Sequence, residues 1–346
     1  MRISLMSLGD LSPDPITGHL ATPAERHQMF VEAAVLADEF GYEGVNVGEH
    51  HGLDYIFSSP PVILAAIAAR TKNLRLSTAV TLLANLDTLR IAEDYSTLDA
   101  ISGGRAEIVA GRGNFFASTY TLFGQDVSES RERFDEAVEL LIELWRGEPV
   151  HWTGKFRAPV NGERLQPTPL DTTRVPLSIG GGSSTETAEL AARLGLDLVL
   201  PSAFGRPENF KPVVEHYLER FAEHGHARTP RVGACWHVSV GPDSQAAKDR
   251  WEPRYRQYHS WMNDMLGRIN PTMPKHVRPF DYEWLLTQGP AIAGSPAELS
   301  DRLGRWGKLL NLDYSMLYMD MGGTPQGELL DQVALVGSEV IPALRD

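Results

Sequence analysis

Eight times along this chain a short apolar run stops at glycine or polar residues and gives way to a stretch with helical spacing. That alternation points to parallel strands joined by right-handed crossovers. Eight units are what a closed (β/α)8 TIM barrel needs, so the expected fold class is α/β with that architecture. An open doubly wound sheet is the alternative and would use fewer units.

The first strand is read at Ile3 to Leu8, followed by a helix with Thr22 as cap, Pro23 at its first position, and Met29, Ala33, Leu36 and Phe40 on one face. Gly44 to Val47, Leu74 to Leu82 and Arg105 to Ala110 supply the next three strands. Their helices run from Ser59 to Arg70, from an Asp87 cap to about Ile101, and from Ser128 along a stripe of Phe134, Val138, Leu141 and Trp145. The later strands are Val175 to Ile179, Asp197 to Leu200, Arg231 to Val240 and Tyr314 to Met319. The later helices start near Ser183, Pro207, Pro296 (capped by Ser295) and Pro325. Two segments break the rhythm. Residues 148–173 read as a β-hairpin excursion, and 243–290, rich in tryptophan and tyrosine, as a lid-like insertion. The expectation is one domain over 1–346 with insertions after strands 4 and 7. Trp251, Tyr255, Tyr258, His259, Trp261 and Trp284 either roof an apolar pocket or pack a small core or subunit contact of their own.

A net charge of -13 without a basic block argues against nucleic acid and anionic membranes, leaving small molecules as partners. Cys235 is the single cysteine, which rules out an internal disulfide and any cysteine-rich metal site. The first residues carry no signal-peptide pattern and the apolar run from Pro60 to Ala69 is too short to span a bilayer, so a cytoplasmic location is expected.

In such a barrel the active site forms at the C-terminal ends of the strands. That selects Asp10, Glu49, His50, Val80, Asn85, Arg112, Gly181 to Ser184, Ser202, His237 and Asp320. Gly180 to Gly182 turn directly into Ser183, Ser184 and a helix, and Ser183 with Glu186 matches a capping box. Glycines allow close approach and a helix start offers unpaired N-H groups, so this corner is an anion seat, or else only a tight turn. Arg112 stands between two glycines, with Arg131 and Arg133 nearby in sequence to reinforce it or to serve as surface ion pairs. His50 and His51 are adjacent, and on an extended backbone they face opposite sides, so a shared metal is not expected. One imidazole then serves as acid, base or hydrogen-bond donor, or is structural. No Ser-His-Asp order, P-loop lysine or paired rim carboxylates are evident.

GEHH at 48–51, TLDAISGGRAEIVAGRG at 97–113, LFGQDVSESRERFDE at 122–136, LQPTPL at 165–170 and IGGGSSTETAELAARLG at 179–195 together resemble the bacterial luciferase-like flavin-dependent monooxygenase family. The likeness is close to about Leu200 and looser beyond. It implies the same barrel, and FMN handled as reduced flavin that reacts with O2, supplied by a separate reductase. It further implies a small organic substrate and a homodimer. Position by position, His50 matches the catalytic histidine. Arg112 and Arg131 match phosphate-contacting arginines, Gly182, Ser183, Ser184 and Thr187 the phosphate loop, and Ala79-Val80 a cis peptide beneath the ring. With Gly181 and Asn85 from the rim, these complete the expected cofactor set. Gly111 departs from the reactive cysteine of luciferases, and Thr88 from a common proline. Related barrels use the deazaflavin F420 for hydride transfer, and a non-catalytic flavin-binding protein is a further possibility.

Overall fold

The computed structural model describes residues 1–172, 177–181, 184–203, 205–269 and 281–345. Chain order begins with β1 (Arg2–Ser7), α1 (Pro23–Glu39), β2 (Gly44–Val47), α2 (Pro60–Ala68), β3 (Arg75–Thr78), β4 (Thr81–Leu82) and α3 (Thr88–Ser102). Next come β5 (Ile108–Gly111), α4 (Ala117–Leu122), α5 (Ser130–Trp145), the antiparallel hairpin β6 (Val150–Trp152) and β7 (Val160–Glu163), then β8 (Leu177–Gly180) and α6 (Thr185–Arg193). The second half holds β9 (Asp197–Leu200), α7 (Lys211–Glu223), β10 (Val232–Val240), α8 (Ser244–Ile269), α9 (Tyr282–Thr287), β11 (Ala291–Gly294) and α10 (Pro296–Leu310). It ends in β12 (Tyr314–Tyr318), α11 (Gln326–Leu335), a π-helical turn and α12 (Ile341–Arg345).

The parallel order is β3-β2-β1-β12-β10-β9-β8-β5-β4. β3 and β4 share one barrel position, on either side of the cis Ala79-Val80 bond. The ring closes where Leu76 N donates to Arg105 O and Glu107 N to Leu76 O, both at 2.9 Å. The alternation in the sequence therefore produces the closed barrel it predicts. Strands covered on both faces are largely apolar, and β10 is buried at every position, His237 and Ser239 included.

Local signals place the helix starts. Thr22 and Glu25 exchange capping-box bonds before α1, Ser295 and Glu298 do so before α10, and Asp87 accepts from Arg90 N before α3. One core lies between barrel and helices, with Phe30, Leu64, Leu98, Val138 and Leu303 fully buried. A second fills the barrel's upper interior, where Met6, Val109, Val199, Cys235 and Met316 meet Trp251, Tyr255 and Tyr258 of α8.

The insertion from Asp243 opens with one long helix, α8. Pro253 inside α8 reads as a breaker, yet Trp251, Tyr255, Tyr258, Met265 and Leu266 follow helical spacing and are buried. β11 escaped the sequence reading because four residues after a Gly-Pro turn carry little pattern; it pairs in parallel with the last four residues of β10. The expected strand start at Val175 and helix start at Ser183 fall outside the described residues, and α6 begins at Thr185. No helix among the described residues is long and apolar enough to cross a membrane.

Candidate active site

Beyond β2 the chain forms a loop closed at its neck by His50 N donating to Phe57 O at 3.0 Å. The loop is laid against the exit of β1 by Leu11 N to Asp54 O and Ile56 N to Gly9 O, both 2.9 Å. Within it the His50 ring stacks on Tyr55, with centroids 4.1 Å apart and planes at 19°, and meets the edge of Phe116 at 5.6 Å. The ring is half-buried, and its Nδ1 is sealed from solvent without a hydrogen-bond partner among the described residues. Burial first, and then neighbouring His51, push the imidazole down to about 3, so it is neutral at physiological pH. His51 turns the other way, its Nε2 2.7 Å from Glu49 Oε1, while Glu49 Oε2 accepts from Leu82 N at 2.9 Å. The two rings diverge as adjacent residues on an extended backbone should.

The glycine corner lies at the end of β8. Gly181 N donates to Val199 O at 2.9 Å, and a Cβ at Gly181 would stand 2.5 Å from Thr187 Cγ2. Ser184 is the N-cap of α6 but its hydroxyl makes no capping bond, so it leaves the N-H groups of the helix start unserved. The expected Ser183 capping box, like Gly182, lies outside the described residues. Arg131 reaches from α5, donating to Glu186 O at 3.1 Å and Thr187 Oγ1 at 3.5 Å while pairing with Asp135 at 3.0 Å. Arg112, at the end of β5, is half-buried, and its guanidinium has no carboxylate or hydrogen-bond partner among the described residues. Arg133 does not join them; it pairs with Glu129 at 2.9 Å and covers the Phe156 ring. Asn85 is buried, donates to Gln125 Oε1 at 2.9 Å, and leaves its Oδ1, beside Gly113, without a partner among the described residues.

The Val80 side chain is wedged over two glycines. A Cβ at Gly111 would stand 2.2 Å from Val80 Cγ2, and one at Gly180 2.6 Å from Val80 Cγ1. Any side chain at 111, cysteine included, would thus require Val80 to shift.

Other rim positions build the floor. Buried Arg26 donates to Asp320 Oδ2 at 2.7 Å and to Asp10 O at 3.1 Å, and Asp10 accepts from the Tyr318 hydroxyl and from Gly322 N. Burial, against the opposing charge of Arg26, holds the Asp10 carboxyl above its ordinary range. The two carboxylates that no motif announced are therefore a pair bridged by one guanidinium. His237 Nδ1 lies 2.8 Å from the Tyr255 hydroxyl, and Ser202 only exchanges bonds with the Cys235 backbone.

A family profile described as luciferase-like monooxygenase matches residues 1–340. The chain belongs to the luciferase-like monooxygenase family. It is 31% identical over 262 residues to 4-hydroxyprotoasukamycin monooxygenase of Streptomyces nodosus subsp. asukaensis, covering 72% of this chain and 67% of that one. It is 22% identical over 343 residues to the oxygenase component of flavin-dependent trigonelline monooxygenase of Acinetobacter baylyi, covering 94% and 92%. Its fold matches that of the oxygenating constituent of 3,6-diketocamphane monooxygenase of Pseudomonas putida, solved in complex with FMN, at a TM-score of 0.78, 19% identity and 99% and 98% coverage.

In this luciferase-like monooxygenase, sequence reasoning missed Arg26, Tyr55 and the clustering of Tyr258 and Tyr318. Arg26 was legible in hindsight, since it continues the buried face of α1 three and four residues before Met29 and Phe30. Tyr55 carried no signal, lying in a polar loop without period.

Proposed function

We propose that this chain is the oxygenase component of an FMN-dependent monooxygenase, acting on a small organic substrate with reduced FMN delivered by a separate reductase. The observation that carries it is a pairing at one end of a parallel barrel: a helix start whose Ser184 makes no cap bond together with Arg112, whose guanidinium has no partner among the described residues, and a neutral imidazole with a sealed Nδ1. The family membership and the flavin-dependent and FMN-bound relatives support the reading.

The residues fit the cofactor. Arg112, Arg131, Gly181, Ser184 and Thr187 would hold the phosphate, together with Gly182 and Ser183. Glycines at 111 and 180 leave Val80 and Ala79 as an apolar shelf for the ring, with Asn85 at its edge. When bound, reduced FMN supplies the electrons that activate O2. His50 would hold a proton at the reacting edge, where its neutral ring offers one N-H donor and one ring-nitrogen acceptor. α8 excludes water by closing the aromatic cluster over the barrel interior, which is the lid reading of the insertion within a single domain. A homodimer in the cytoplasm completes the reading and is checked by sedimentation.

Arg112→Ala should weaken FMN binding about 10- to 100-fold, the worth of a charge-assisted bond of ~1.5–3 kcal/mol, while riboflavin affinity stays near wild type. His50→Ala should leave FMN affinity intact and lower turnover. Equal weakening of FMN and riboflavin would remove the phosphate contact. Reduction of F420 by alcohols, without oxygen consumption on supply of reduced FMN, would overturn the reaction class.

A further inference from the structure

Histidines that move protons are commonly aimed by a hydrogen bond from their second ring nitrogen to a carboxylate or carbonyl. Among the described residues His50 has no such aim, because its Nδ1 is buried and has no partner there. Its ring orientation must come from packing, and the parallel ring against it is Tyr55 at 4.1 Å. Phe116 touches only by its edge.

Tyr55 is in turn held from above by α8. Its hydroxyl lies 3.0 Å from that of Tyr258, and Trp261 meets its ring edge-on at 4.9 Å. The Tyr258 ring also meets Tyr318 edge-on at 6.0 Å, and the Tyr318 hydroxyl donates to Asp10, so the contacts end in the buried Asp10-Arg26-Asp320 cluster. α8 itself is pinned by buried Arg254, 3.0 Å from Asp14 and 2.7 Å from Glu328, and by Gln257 donating to Pro13 O. One continuous set of contacts thus runs from the insertion to the imidazole.

We propose that Tyr55 is a positioning residue for His50, and that the hydroxyl contact between Tyr55 and Tyr258 makes docking of α8 the condition for correct imidazole orientation. The proposal rests on the proton-holding role of His50 given above. With Tyr258 in place, swinging Tyr55 out of its site would strand a buried hydroxyl, which costs free energy, so the position of the ring is fixed, while Trp261 packed against it limits its plane. Without that contact the eight-residue stretch from His50 to Phe57 keeps its closed neck but loses the brace on its tip. A device of this kind ties the reactive arrangement to closure of the mouth.

The test uses Tyr55→Phe, Tyr258→Phe and the double variant, which keep both rings and remove only hydroxyls. In protein without flavin, labelled at histidine Cε1, the His50 signal is identified by its loss in His50→Ala. Each single variant should shift or broaden it, while the exposed His151 signal stays in place. In protein loaded with reduced FMN and mixed with O2, the return of oxidised-flavin absorbance should change about five- to tenfold in the direction His50→Ala takes, since small misplacements of a catalytic group are costly. FMN affinity should be unchanged, and the double variant should do no more than either single one. An unmoved His50 signal in both single variants, or additive effects in the double, overturns the proposal. If the signal moves as expected while His50→Ala leaves the rate unaltered, the positioning stands and the assigned role of His50 falls.

Discussion

Replacing Arg26 with leucine isolates the charge cluster beneath the barrel mouth. Arg26 is 4% exposed, and Asp10 and Asp320 are each 2% exposed. The guanidinium meets Asp320 at 2.7 Å through one nitrogen and the Asp320 and Asp10 carbonyls at 3.2 and 3.1 Å through the others. Leucine keeps much of the aliphatic volume, so the main loss is the cation, leaving two carboxylates buried without one. Breaking a buried pair by removing one partner costs about 3–5 kcal/mol. Its pH dependence follows from Asp10. That carboxyl is already raised, mainly by burial, and Arg26 is the chief influence lowering it. Without Arg26 it rises further, so the folded state binds a proton that the unfolded chain releases. Stability then falls as pH climbs through that window and recovers on acidification. Urea unfolding should show a deficit of about 3–5 kcal/mol near neutral pH that shrinks toward about pH 5. Adding Asp10→Asn should restore part of it, because the sites share contacts. A deficit below about 1 kcal/mol, or one that widens on acidification, would refute the account of two carboxylates sharing one cation.

Gly111→Ala should cost about 1–3 kcal/mol through overpacking against Val80 and should weaken FMN binding; unchanged melting and unchanged affinity would show that the shelf has room. His237, pushed down to about 3 by burial, binds fewer protons folded than unfolded, so it contributes stability that is lost as pH falls from the ordinary histidine range toward that value. His237→Phe should therefore flatten the acid side of the urea-midpoint profile, and an equally steep profile would assign acid lability elsewhere.

The barrel was readable because its signals are local and repeated: short apolar runs, caps such as Thr22, Asp87 and Ser295, and glycines at helix ends. Of the candidate site, the glycine turn before α6, the placing of Arg112 at a strand end and the divergence of His50 from His51 were legible for the same reason. Arg131 and Arg133 look alike in sequence, two residues apart on one helix. Yet Arg131 faces the start of α6, and Arg133 faces Glu129 and Phe156 of the hairpin. Residues two apart on a helix project about 200° from one another, so only the packing of α5 tells which neighbour each one meets.

What the amino-acid sequence determined alone was the period of the chain and hence the fold, since each strand and helix is specified by side chains within a few residues of one another. What required tertiary structure was every contact made across it: Val80 over Gly111 and Gly180, Arg26 between Asp10 and Asp320, and α8 resting on Tyr55. Tyr55 and Tyr258 are 203 residues apart, and no local propensity encodes their meeting. It follows only when eight strands close and bring their C-terminal loops to one rim.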